Sequence, residues 1–131
     1  MKQEIFTRIP IVQQLIYETE TWTRLIGFIR DENSYFKMRL AEVVSSSEDH
    51  KVIEQAEKFQ EEFLAQDRII LYLSDELKKQ NKLLDKDLNA AENFLQEAIK
   101  NQNKLRKEIK KAEGLFKELK DQFISYLHEL F

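Results

Sequence analysis

Cysteine is missing from this 131-residue chain, proline occurs once and glycine twice. Without thiols there is no disulfide framework, no thiolate metal site and no cysteine nucleophile. So few Gly and Pro residues cannot supply the turns of a sandwich, a barrel or a doubly wound sheet. Gly27 and Gly114 stand alone, so no glycine-rich phosphate loop can be written. Histidine is nearly as scarce, at two. A carboxylate-bridged di-iron bundle needs Glu-x-x-His, which sets both ligands one turn apart, but Ser47 and Ser125 precede His50 and His128 by three. His-Glu-x-x-His zinc sites fail on the same count. No catalytic residue, cofactor or metal site is expected.

Long apolar runs are lacking too. Ile9-Pro10-Ile11-Val12 is the N-terminal apolar run, whereas a signal peptide needs about 7–15 apolar residues and a transmembrane helix about 20. The expectation is a soluble, cytoplasmic protein. Nor does charge of one sign dominate: 21 Lys and Arg face 24 Asp and Glu, a net charge of −3. Positive and negative residues number six and six over 1–47, seven and eleven over 48–87, and eight and seven over 88–131. No segment is a charged tail, and there is no global attraction for nucleic acid or anionic membranes.

What is present is helical periodicity. Pro10 suits a first helical turn, and the cluster Ser45-Ser46-Ser47-Glu48-Asp49 marks a turn. Between them an apolar stripe passes through Leu15, Trp22, Leu25, Ile29, Phe36 and Val43, flanked by Ile26, Phe28 and Leu40. Those spacings fit a helix and not a strand. From Ala56 a heptad row reads Phe63, Ile70, Leu77, Leu84, Ala91, Ala98, Leu105, Ala112, Leu119 and Tyr126. Its companion row, from Ile53, is polar through Gln60, Asp67, Ser74 and Asn81 and mostly apolar from Leu88 to Leu130. A sustained repeat of seven indicates left-handed, coiled-coil-like packing.

An unbroken helix over 53–130 would be about 117 Å long at 1.5 Å per residue, which requires an elongated oligomer. A turn near Asp85–Asn89, with Asn89 and Glu92 at capping-box spacing, divides it instead. Asn101-Gln102-Asn103 is the competing break, and Gly114 a further one. The fold expected is all-α: a single domain over 1–131, an up-down-up antiparallel bundle of helices at about 10–45, 49–86 and 89–130. The first turn pairs residues of helices one and two whose numbers sum to about 95; the second gives about 176 for helices two and three. One region then collects Phe36, Phe59, Phe63, Phe116 and Phe123, and another Trp22, Leu25, Ile70, Leu73, Leu105 and Tyr17.

The polar residues on these stripes are the anomaly. Glu18, Glu32 and Arg39 fall on the first helix's stripe, and Gln60, Asp67, Ser74 and Asn81 on the second's. A buried unpaired carboxylate costs several kcal/mol, so partners are required. The candidate network is Glu32, Arg39, Asp67, Arg68 and Asn81, read as ion pairs and amides that fix helix register, with a small-ligand or metal site as the sharper alternative. Gly27 is expected to permit a close helix approach near Arg68. A second candidate is the stripe Lys100, Lys104, Lys107 and Lys111, within a segment of six positive charges and one negative. It could meet phosphates or an anionic surface, but no aromatic lies within it to stack on bases. The C-terminal stretch 115–131 carries more apolar surface than two heptad rows need. Ile5, Phe6 and Ile9 would cover part of it, and the remainder favours dimerisation, which would complete the bundle.

The run Trp22-Thr23-Arg24-Leu25-Ile26-Gly27-Phe28-Ile29-Arg30-Asp31-Glu32 with Leu40-Ala41-Glu42-Val43, and Phe59-Gln60-Glu61-Glu62-Phe63 with Gln66-Asp67, resemble small bacterial proteins made of long helices and carrying no assigned activity. The resemblance covers about half the chain; it implies fold and a cytoplasmic bacterial origin, and adds no site. The functional expectation is a non-enzymatic helical bundle acting through protein–protein contact, as scaffold, adaptor or homo-oligomer. Binding of nucleic acid or an anionic surface through the lysine stripe is the alternative.

Overall fold

The computed structural model describes the backbone of residues 2–85 and 92–131 and the side chains of residues 10–85 and 94–131. Three helices make the fold: α1, Lys2–Ser46; α2, His50–Leu84; and α3, Glu92–Leu130. They pack antiparallel in up-down-up order. Contacts between α1 and α3 keep a near-constant sequence offset of 84 to 88, as two parallel helices require.

The helix ends follow local chemistry. Ser45 and Ser46 turn their hydroxyls onto the Glu42 and Val43 carbonyls in the last turn of α1, competing with continuation of the helix. Asp49 caps α2: its carboxylate accepts from the Lys51 N–H at 2.9 Å and its carbonyl from the Ile53 N–H. The start of α1 differs from expectation, since the helix runs from Lys2 through Pro10. Proline removes only the rung to residue 6, and the helix continues on both sides. The second break falls between Leu84 and Glu92, as expected. The proposed cap at Asn89 lies outside the described residues, as do the side chains of Ile5, Phe6 and Ile9. Asn101 to Asn103 and Gly114 sit inside α3, so neither competing break exists. Gly27 grants no close approach either: a Cβ there would meet only Arg30 Nη2 of its own helix, at 3.6 Å.

Each helix buries an unbroken stripe of alternating three- and four-residue steps. On α1 it reads Val12, Leu15, Thr19, Trp22, Ile26, Ile29, Asn33, Phe36, Leu40 and Val43. On α3 it runs Ala98, Gln102, Leu105, Ile109, Ala112, Phe116, Leu119, Phe123 and Tyr126, the two heptad rows expected there. On α2 only one expected row is core. Ala56, Phe63, Ile70, Leu77 and Leu84 are buried, joined by Gln66, Leu73 and Gln80 with Phe59 half-buried. The row Gln60, Asp67, Ser74, Asn81 is flank, from exposed at Gln60 to half-buried at the others. The Ala56 row keeps its seven-residue register from α2 into α3, Leu84 and Ala98 being two heptads apart. Its buried companion on α2 lies one residue before the expected row, at Phe59, Gln66, Leu73 and Gln80.

The chain groups into two compact units, one of Met1–Ile26 with Tyr72–Lys110 and one of Gly27–Leu71 with Lys111–Phe131. The second holds the aromatic core. Phe36 meets Phe63, Phe116 and Phe123 at centroid distances of 6.0, 6.3 and 5.6 Å. Phe63 and Phe123 cross edge-to-face at 5.0 Å, and Phe59 packs on Phe123 and Tyr126. These are the five expected phenylalanines with Tyr126 added. In the first unit Leu15, Leu84 and Ala98 form an aliphatic cluster against Ile11, Ile16, Leu83 and Leu95. Trp22, Leu73 and Leu105 are buried in that unit, whereas Ile70 is buried in the other. Leu25 is only half-buried and Tyr17 is 68% exposed, so neither is core.

Candidate functional site

The five polar residues read as a network do not form one. Glu32 accepts from Lys120 Nζ at 2.6 Å, and Arg39 pairs with Glu42 one turn along α1. Asp67 accepts from Asn33 Nδ2 at 2.8 Å and Lys37 Nζ at 2.6 Å. Arg68 is exposed, and Asn81 belongs to the other unit from the remaining four. The physical reason is a one-position displacement on both helices: the buried rows run through Thr19 and Asn33 on α1, and through Gln66, Leu73 and Gln80 on α2. Glu18, Glu32 and Arg39 flank the stripe, where half-exposed ion pairs form, and the buried polar residues are their neighbours Thr19 and Asn33.

The buried polar chemistry sits mainly in the first unit. Gln80 Nε2 donates to the Ala98 carbonyl at 2.8 Å and to Gln102 Oε1 at 2.9 Å. Gln102 Nε2 donates to the Leu15 carbonyl at 3.2 Å and to Glu18 Oε1 at 2.9 Å. Arg106 closes the chain by gripping Glu18 through Nε and Nη2 at 3.0 and 2.6 Å, its guanidinium 5.8 Å from the Trp22 ring centre. Burial pushes the Glu18 carboxyl upward, but the hydrogen bonds from Arg106 and Gln102 and the Arg106 charge outweigh it, holding the group below its ordinary value. Gln102 thus ties all three helices of this unit together. Its sequence signal was present, as a polar residue in an otherwise apolar α3 row. In the second unit Asn33 bridges α1 to α2 through Asp67 and the Phe63 carbonyl. These hydrogen bonds hold charges and amides to one another; Asn33 Oδ1 and, in the first unit, Glu108 Oε2 are buried without a partner among the described residues.

An open groove of about 560 Å³ lies between α2 and α3 in the second unit, with Phe59 and Tyr126 at its base and Lys58, Glu62, Asp121 and Glu129 on its walls. None of Glu32, Arg39 or Asp67 lines it. Among the described residues no three His, Asp or Glu side chains are placed to hold a metal ion. The lysine stripe is real as a stripe: Lys100, Lys104, Lys107 and Lys111 are all exposed, with Lys104 near Glu108 at 3.8 Å.

The feature that sequence reasoning missed is the outer face of α1. A second row of alternating three- and four-residue steps runs opposite the buried one: Tyr17, Thr21, Arg24, Phe28, Asp31, Tyr35, Met38 and Glu42, all exposed. Tyr17, Phe28, Tyr35 and Met38 are 68, 62, 54 and 60% exposed. The matching outer positions of α2 are Glu54, Lys58, Glu61, Ala65, Arg68, Tyr72, Asp75 and Lys79, and those of α3 are Lys100, Lys104, Lys107, Lys111, Gly114, Glu118 and Asp121. At these outer positions the surface is mostly charged on α2 and α3 and carries Tyr17, Phe28, Tyr35 and Met38 on α1. Leu64, Leu71 and Tyr72 on α2 and Ile99 and Leu115 on α3 are exposed as well. The signal was available as Phe28, Tyr35 and Met38, which no single core stripe can include.

No family model, curated protein or solved structure matches the chain, so the resemblance to long-helix bacterial proteins gains no family. No described helix is long and apolar enough to cross a membrane.

Proposed function

We propose that the protein acts by binding protein through the outer face of α1 rather than by catalysis. One observation carries this reading: three aromatics and a methionine, each more than half exposed, recur on one face of α1, whereas the matching row of α2 holds one exposed aromatic, Tyr72, among charges and that of α3 holds none. Keeping such side chains in water gains nothing for the fold. Large apolar side chains held exposed on one face among polar groups mark an interaction site, and Tyr, Phe and Met are enriched at interface cores.

The test is a photo-crosslinker placed at Phe28 and, separately, at Glu61 on the outer face of α2, in the cell that makes the protein. Protein adducts at position 28 and none at 61 are expected. Equal yields at both positions, or none at 28, would sink the reading.

A further inference from the structure

Resting on that reading, we infer that the occupant of the α1 face is a second copy of this chain, docked antiparallel so that α1 packs on its own counterpart about a two-fold axis near Phe28. The face is self-complementary. The row from Tyr17 to Glu42 has the step pattern of a helix-packing seam, and at 1.5 Å per residue it is about 38 Å long. Two copies crossed antiparallel near Phe28 bring each Arg24 within about one turn of the partner's Asp31. The same register sets Tyr17 and Thr21 against the partner's Tyr35 and Met38, and Phe28 against its counterpart. Apolar groups thus meet apolar groups, and the two central charges meet their opposites.

Both charges are free to do so. Arg24 is exposed and, among the described residues, reaches only the Thr21 hydroxyl, at 3.3 Å. Asp31 is 80% exposed in its side chain, with Arg30 as its long contact at 3.8 Å. A parallel arrangement would oppose Arg24 to Arg24 and Asp31 to Asp31, and like charges facing each other disfavour association. The two-fold arrangement is also the commonest closed symmetry, in which one patch binds itself and leaves no further surface to extend.

The experiment measures particle mass by sedimentation across a concentration series. The parent, Arg24→Asp, Asp31→Arg and an equimolar mixture of the two variants are compared, with circular dichroism to confirm that each folds. The parent should dimerise, each variant alone should dimerise about tenfold more weakly or worse, and the mixture should recover. In the mixed pair the reversed charges again face opposites at both Arg24–Asp31 positions, so recovery also rules out misfolding as the cause of weakening. Spin labels on Tyr17→Cys, in a chain free of other cysteines, should lie about 30 Å apart across the antiparallel dimer. A label at Phe28→Cys should give a short distance. A parent that stays monomeric, a dimer indifferent to both charge reversals, a mixture that does not recover, or a short distance at position 17 would overturn the inference. The crosslinker at position 28 separates this from failure of the wider reading. An adduct with a different protein keeps α1 as a binding face and overturns self-docking, whereas no adduct removes both.

Discussion

The two compact units solve the same packing problem with different chemistry. In the unit of residues 27–71 and 111–131 the helix stripes converge on Phe36, Phe59, Phe63, Phe116, Phe123 and Tyr126. In the unit of residues 1–26 and 72–110 the stripes place Thr19, Gln80 and Gln102 among aliphatic side chains. Aromatic rings bury much area per residue, and their edge-to-face contacts add to it. The hydrophobic part of that stabilisation is non-directional. An amide offers less apolar burial, but its hydrogen bonds are directional and satisfied only in one alignment. The comparison teaches that one heptad pattern can carry stabilisation in one region and alignment in another.

Truncation should break the comparison most sharply. Phe63→Ala or Phe123→Ala, at positions with no exposure, should each cost about 3–5 kcal/mol, read as the drop in urea midpoint. A loss under 1 kcal/mol would show that the aromatic cluster does not carry its unit. Next in size is Gln102→Ala, which strips partners from Gln80, the Leu15 carbonyl and Glu18 and should cost about 1–3 kcal/mol. The double variant Gln80→Leu/Gln102→Leu should cost much less than the sum of its singles, because neither amide is then left unpaired. A double-mutant cycle that comes out additive would remove the coupled-network account.

Gly114→Ala should stabilise by about 0.8–1.0 kcal/mol. The site is exposed and helical, and a Cβ there meets nothing within 4 Å. An unchanged melting temperature would contradict it. The smallest effect is on pH. The Glu18 carboxyl is held below its ordinary value, so its contribution is complete above the unfolded-state value and lost as pH falls through the folded one. Glu18→Gln should therefore flatten the acid side of the stability curve, whereas Phe63→Ala, which removes no titrating group, should leave its shape as in the parent. An identical acid limb in Glu18→Gln and parent would refute the assignment.

Much of the fold was legible because heptad spacing is a property of the chain itself. The Ser45–Asp49 turn, the apolar rows of α3 and the clustering of five phenylalanines all follow from positions counted along the sequence. The candidate site was less legible. Glu18, Glu32 and Arg39 are adjacent in sequence to Thr19, Asn33 and Leu40, and a one-residue step on a helix turns a side chain by about 100°, enough to exchange core for flank. Sequence alone cannot fix that step where both neighbours are polar.

Absence of breakers and the repeat of seven determined by themselves that this is an all-α chain of long helices. The division of residues 53–130 into two of them rested in sequence on a length argument and was decided by the tertiary structure. Only the tertiary structure decided which row of α2 faces inward, that Gln102 joins three helices, and that α1 keeps a second seam of Tyr17, Phe28, Tyr35 and Met38 in solvent. The reason is that periodicity is local, whereas burial depends on what the other two helices cover. A helix with two seams can hide only one of them within a single bundle.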